Sequence, residues 1–139
     1  MRALVLDSGA VSLLARSPTR TDVATVLTYL QVALEKGLPV RVPAAVLAEQ
    51  YRGQGHDQAI DAFLSRYKDG VRIVNTDRDL ARLVGNLLAR SRRGSEDHVD
   101  ATVVATAVRL GGGLIMTSDP DDITRLADGL PNIEVEFLP

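Results

Sequence analysis

The chain contains no cysteine, which excludes disulfides, thiol nucleophiles and thiolate-bound zinc and fits a reducing compartment. No apolar run approaches the ~20 residues that a membrane helix requires. Met1-Arg2 leads straight into an apolar tetrapeptide instead of a signal peptide. The expectation is a cytoplasmic protein with no membrane partner. A basic excess is missing too: 16 Lys and Arg stand against 18 Asp and Glu, a formal charge of −2. That removes a whole-domain electrostatic footprint for nucleic acid, but it leaves room for a local basic rim beside a local acidic site. There is no Walker A pattern. Gly53-Gln54-Gly55 is not a dinucleotide fingerprint, because it follows a helix and lacks the third glycine. Gly111-Gly112-Gly113 reads as a helix stop. No repeat, low-complexity tract or linker divides the sequence.

What is present is ordinary for one domain with its own core: 139 residues, 45% hydrophobic and 24% charged. The expected organisation is a single unit over residues 1–139. Ala3 to Leu6 reads as a buried strand, ended by Asp7, and Ala10 to Ala15 as a short helix followed by a loop from Arg16 to Thr21. Val23, Val26, Leu27, Leu30 and Leu34 fall at helical spacing with Gly37 just past the end. Val40 to Val42 is a short strand, with Pro43 suited to the first turn of a helix that carries Val46, Leu47, Glu49 and Gln50 and breaks at Gly53 and Gly55. Ile60, Phe63, Leu64 and Tyr67 mark a further helix, and Val71 to Val74 a strand. Asp77 reads as the N-cap of a helix striped by Leu80, Leu83, Val84, Leu87 and Leu88. After the polar run Arg90 to Glu96 come a helix over Asp97 to Arg109, a strand at Leu114 to Met116, a helix over Asp119 to Asp128, and the alternating Ile133 to Phe137, an edge strand with one wet face. Short strands alternating with helices indicate an α/β fold with a mostly parallel sheet and helices on both faces.

Several acids fall where such a sheet collects chemistry, beyond the carboxyl ends of strands. Each has a plain structural alternative. Asp7 stands between a strand and a helix and serves equally as an N-cap. Asp119-Pro120-Asp121-Asp122 is ordinary helix-start chemistry. Asp97 can be a cap, and Glu49 a solvated helix residue. Asp100 is harder to dismiss. It shares a helical stripe with Val103, Val104, Ala107 and Val108, so it faces the sheet, where a carboxylate is costly unless something positive meets it. A buried arginine is one such partner and a cation another. Gathered on one edge, like charges ~4 Å apart repel by roughly 4 kcal/mol at an effective dielectric of ~20, against a total domain stability of about 5–15 kcal/mol. A divalent cation removes that cost. All-oxygen ligands select Mg²⁺ or Mn²⁺ over zinc, and such a site suits phosphoryl chemistry.

With these residues in place the chain resembles the PIN-domain ribonucleases and, within them, the VapC-type toxins of bacterial toxin–antitoxin pairs. The matching pieces are Leu4-Val5-Leu6-Asp7-Ser8-Gly9-Ala10, Val42 to Glu49, Asp97-His98-Val99-Asp100-Ala101, and Met116-Thr117-Ser118-Asp119-Pro120-Asp121-Asp122. They come in family order and span nearly the whole chain. The resemblance implies a single PIN-like α/β/α domain and a Mg²⁺-dependent endoribonuclease, with Mn²⁺ as a substitute. Asp7, Glu49, Asp100 and Asp119 take the places of the family's acidic quartet. Asp97 and Asp122 are additional ligands or supports, and Ser8 and Thr117 are hydroxyls that orient ligands. It also implies RNA hydrolysis by water and not by the RNA's own 2′-hydroxyl, a homodimer, and a cognate antitoxin covering the groove.

Arg90, Arg92 and Arg93 precede the acidic helix and are candidates for tracking an RNA backbone, with a solvated loop as the alternative. Arg16, Arg20 and Arg52 are weaker candidates. His56 and His98 read as surface residues. Three other functions compete for the same residues. An aspartyl-phosphate phosphatase wants a second Asp two residues after Asp7, where Gly9 stands. A receiver module wants a central phosphoacceptor Asp and a late Lys, but Val71 to Val74 ends in Asn75 and no Lys follows Lys68. A catalytically silent PIN-like metal- or RNA-binding module is the third, and the intact acid set argues against it.

Overall fold

Three apolar residues, Leu4–Leu6, form strand β1, and all are buried. Asp7 ends the strand and starts helix α1 (Ser8–Ala15). The structure, a computed structural model, describes residues 1–16 and 21–138, with Thr21 and Asp22 described by their backbone. The middle of the loop expected between Arg16 and Thr21, and with it Arg20, lies outside the described residues. Helix α2 (Thr21–Glu35) is followed by Gly37 at φ 66, the left-handed turn that ends many helices. Then come β2 (Val40–Pro43), α3 (Ala44–Gln50), α4 (Gln54–Arg66), β3 (Val71–Val74) and α5 (Arg78–Arg90). A 3₁₀ turn at Ser95–Asp97 leads into α6 (His98–Arg109), β4 (Gly113–Thr117), α7 (Pro120–Ala127) and β5 (Ile133–Phe137).

The five strands form one sheet in the order β3-β2-β1-β4-β5, and every pairing is parallel. Helices α1, α2 and α4 pack together, and α6 packs with α5 and α7. Right-handed crossovers place these two groups on opposite faces of the sheet. The chain first builds outward from β1 to β2 and β3, then crosses to the other side of β1 for β4 and β5. Strands β1 and β4 therefore meet at the topological switch point, where a crevice opens beyond their carboxyl ends.

Helix α6 is the central prop. Ala101 to Ala107 are all buried, and the helix touches β1, β2 and β4. Its two buried threonines satisfy their hydroxyls on the preceding turn, Thr102 donating to His98 O at 2.8 Å and Thr106 to Thr102 O at 2.7 Å. Asp77 caps α5 as the sequence reads, accepting from Leu80 N at 2.8 Å. Leu80, Val84 and Leu87 of that helix are buried.

Boundaries differ from the sequence reading at a few places. Gly55 lies inside α4 and does not break it; Gly53, at φ 133, makes the break alone. The Asp57 carboxylate holds that helix start, accepting from Arg52 N and Gly53 N at 3.1 and 3.2 Å. Pro43 closes β2 and precedes the helix. Asp97 belongs to the 3₁₀ turn. Strand β5 is an edge strand, but Phe137 at its end is 55% exposed despite the alternation. Among the described residues, no helix is long and apolar enough to cross a membrane.

Candidate active site

The switch point gathers the acids. Asp7 is buried at the N-cap of α1. Its Oδ1 accepts from Ser8 N at 2.7 Å and its Oδ2 from the Thr117 hydroxyl at 2.6 Å. Thr117, the last residue of β4, also accepts from Asp119 N at 2.9 Å. One fully buried hydroxyl thus fixes both the Asp7 carboxylate and the backbone that carries Asp119. Burial pushes the Asp7 carboxyl above its ordinary value. The Thr117 and Ser8 bonds pull it back down, and the Glu49 charge adds a further upward push. The capping reading of Asp7 is realised, and a carboxylate has lone pairs left over for a further partner.

Glu49 reaches the same edge from α3, exposed, with its Oε1 accepting from the Ser8 hydroxyl at 2.7 Å. Asp119 is the N-cap of α7 but makes no side-chain capping bond. Its carboxyl is raised by partial burial, by the charge of Asp122 and a hydrogen bond with it, and by Asp7 and Asp121. Asp100, in the first turn of α6, is half-buried. Its carboxyl is pushed up to about 7 by burial first, then by Asp7, Asp119, Asp122 and Glu49. The charges of Asp7, Asp119 and Glu49 thus reach Asp100, but among the described residues the three carboxylates whose oxygens lie within 4.8 Å of one another are Asp97, Asp100 and Asp122, not a set drawn from the expected quartet.

Asp97 is buried and Asp122 half-buried, and each has an oxygen within 4.8 Å of the other and of Asp100. Arg93 lies against both of them: its Nη1 is 3.3 Å from Asp97 Oδ2 and its Nη2 3.2 Å from Asp122 Oδ1. Among the described residues no cation pairs with Asp100, so the buried-arginine alternative holds for its neighbours and not for Asp100 itself. An all-oxygen set with an unpaired, half-buried carboxylate at its middle is the donor chemistry of a hard divalent cation. The residues fit one.

The other candidate residues separate clearly. Arg90 donates to Leu126 O at 2.8 Å, and Arg52 donates to Ala48 O and Tyr51 O at 2.7 and 2.8 Å. Arg92 sits exposed in the turn after α5, at φ 55. Among the described residues its side chain has no partner. His56 and His98 are exposed.

Two residues play structural parts that the sequence analysis did not give them. The first is Arg93, through its bridge; the i,i+4 spacing of Arg93 and Asp97 hints at it, but Asp122 comes from a distant helix. The second is Gly9. A Cβ there would press on the Ser118 side chain, 2.8 Å from its Cβ and 3.1 Å from its backbone nitrogen. The start of α1 approaches the β4–α7 loop that closely only because residue 9 has no side chain.

A family model described as the PIN domain matches residues 4–129. Among solved structures, the fold is similar to a chain in the crystal structure of VapBC2 from Rickettsia felis bound to a DNA fragment from their promoter. The TM-score is 0.68 and the sequence identity 16%, over 99% of this chain and 99% of that one. No curated protein matches the sequence.

Proposed function

The chain belongs to the PIN-domain family, and from that premise we propose that residues 1–139 form a Mg²⁺-dependent endoribonuclease, the toxin of a toxin–antitoxin pair. The observation that carries this reading is Asp100, half-buried with no cation paired to it among the described residues, its carboxyl pushed up to about 7 by burial first and then by the charges of Asp7, Asp119, Asp122 and Glu49. Nuclease chemistry is the family's ordinary business; RNA as substrate and Mg²⁺ as the ion are our reading, with Mn²⁺ as its substitute.

Asp7, Asp100 and Asp119 would hold the cation. Bound there, it supplies an activated water and neutralises charge on the phosphate. Glu49, positioned by Ser8, completes the ligand shell or orients the attacking water. Thr117 keeps Asp7 turned toward the centre and keeps the Asp119 backbone in register. Neither histidine lies among the bonded residues of the site, so a carboxylate and not an imidazole handles the proton. Arg92, exposed and without a side-chain partner among the described residues, is the phosphate contact of the arginine run. The fold likeness to a chain of VapBC2 supports a cognate antitoxin as partner; a cytoplasmic homodimer is part of the reading that the family resemblance implies.

The test is incubation of the purified chain, free of any partner, with a pool of structured RNAs in Mg²⁺, Mn²⁺ or EDTA. Cutting should need the metal. On a substrate that is cut, 2′-deoxyribose at the scissile position should leave cutting intact, because water is the nucleophile. Loss of cutting there, with 2′,3′-cyclic phosphate ends on the all-ribose substrate, would overturn the hydrolytic mechanism.

A further inference from the structure

Arg93 spends its two terminal nitrogens on different elements, Asp97 at the start of α6 and Asp122 in α7. Those two acids and Asp100 are the trio whose oxygens lie within 4.8 Å of one another. Two of the three already face a fixed positive charge, and the third does not. The bridge is sheltered: the side chains of Arg93, Asp97 and Asp122 are 23%, 11% and 31% exposed, so salt screens it less than a surface pair. A guanidinium keeps its charge at every accessible pH, and its planar fork suits two carboxylates at once.

We propose that Arg93 is a built-in cation at the edge of the acidic centre. It divides the acids into an arginine-held half, Asp97 and Asp122, and a metal-binding half, Asp7, Glu49, Asp100 and Asp119, so that the centre takes one divalent cation and not two. The proposal rests on the reading of these acids as a metal centre. Arg93 is then a positioning residue: it keeps the trio from acting as a second metal site and ties the α5–α6 connection to α7.

Calorimetric titration of Mn²⁺ into the purified chain decides it, with the thermal midpoint in EDTA measured alongside. The wild type and Arg93→Lys should each bind one Mn²⁺. Arg93→Gln should bind two, and adding Asp122→Asn to it should return the count to one. A bridge that only braces the fold would lower the midpoint of Arg93→Gln and leave the count at one, which overturns the proposal. Two ions on the wild type would overturn it as well, while leaving the metal centre standing. No binding by the folded wild type would overturn the metal centre and the proposal together. Should Arg93→Gln fold too poorly to titrate, Asp97→Asn decides. An arginine-held Asp97 predicts Mn²⁺ affinity within about threefold of wild type. A fall of more than about threefold would mean that Asp97 serves the metal, as ligand or as outer partner (whose loss costs ~10–100-fold), and would overturn the proposal.

Discussion

Replacing Asp100 by Asn should make the metal-free protein more stable, because the carboxylate it removes is held against its own charge. Folding raises this group from 3.8 to about 7, by burial first and then by Asp7, Asp119, Asp122 and Glu49. The folded chain therefore keeps a proton that the unfolded chain has released, and stability falls as pH climbs through that interval. The penalty is absent below pH 3.8 and complete above about 7. At ~1.36 kcal/mol per pH unit the full interval is worth about 4 kcal/mol, and solvent screening of a half-buried carboxylate brings this to about 2 kcal/mol. For a chain of this length that is a midpoint rise of about 6 °C. The assay is thermal unfolding of wild type and Asp100→Asn in EDTA across pH 4.5 to 8. The variant's advantage should grow with pH and level off above neutrality. In saturating Mg²⁺ the order should reverse, because a ligand at 100 times its Kd adds about 2.7 kcal/mol to the wild type alone. An Asn variant that is less stable in EDTA at pH 8, or an advantage that is flat with pH, would refute the reasoning.

Thr117→Val keeps the shape of a buried residue but removes the donor to Asp7 and the acceptor for Asp119 N; urea unfolding should show a loss of about 2–3 kcal/mol, and Mn²⁺ titration a weaker site. Gly9→Ala should cost about 1–3 kcal/mol by overpacking and lower metal affinity as well, because the displaced Ser118 leads directly into Asp119. Ser8→Ala frees Glu49 without opening the core. Its unfolding midpoint should stay near wild type while cleavage slows, and equal loss of both would mean that Ser8 is structural.

The sheet was legible because its strands are short apolar runs with turn residues between them, and parallel order follows from the intervening helices. The helix ends were less so. Gly53 and Gly55 look alike in sequence, and only the positive φ at Gly53 separates them. Phe137 obeys the alternation of an inward residue, yet it is exposed. At the candidate site, the positions of Asp7 and Asp119 just past strand ends and of Asp100 on the buried stripe of a helix were legible because both are local facts. The fate of the arginines could not. Arg90 and Arg93 sit in what reads as a solvated run until α7 is laid beside it, when one finds Leu126 O and the other Asp122. Long-range partners of flexible cations leave no period in the sequence.

If these acids hold a divalent cation that supports RNA cleavage, the cleavage rate of one susceptible RNA across a Mg²⁺ titration, for the wild type beside Asp7→Asn, shows it most directly. The wild-type rate should rise from zero and saturate with Mg²⁺, and the variant should not cut at any concentration. Cutting by Asp7→Asn at the wild-type rate, or cutting that persists in EDTA, would contradict it.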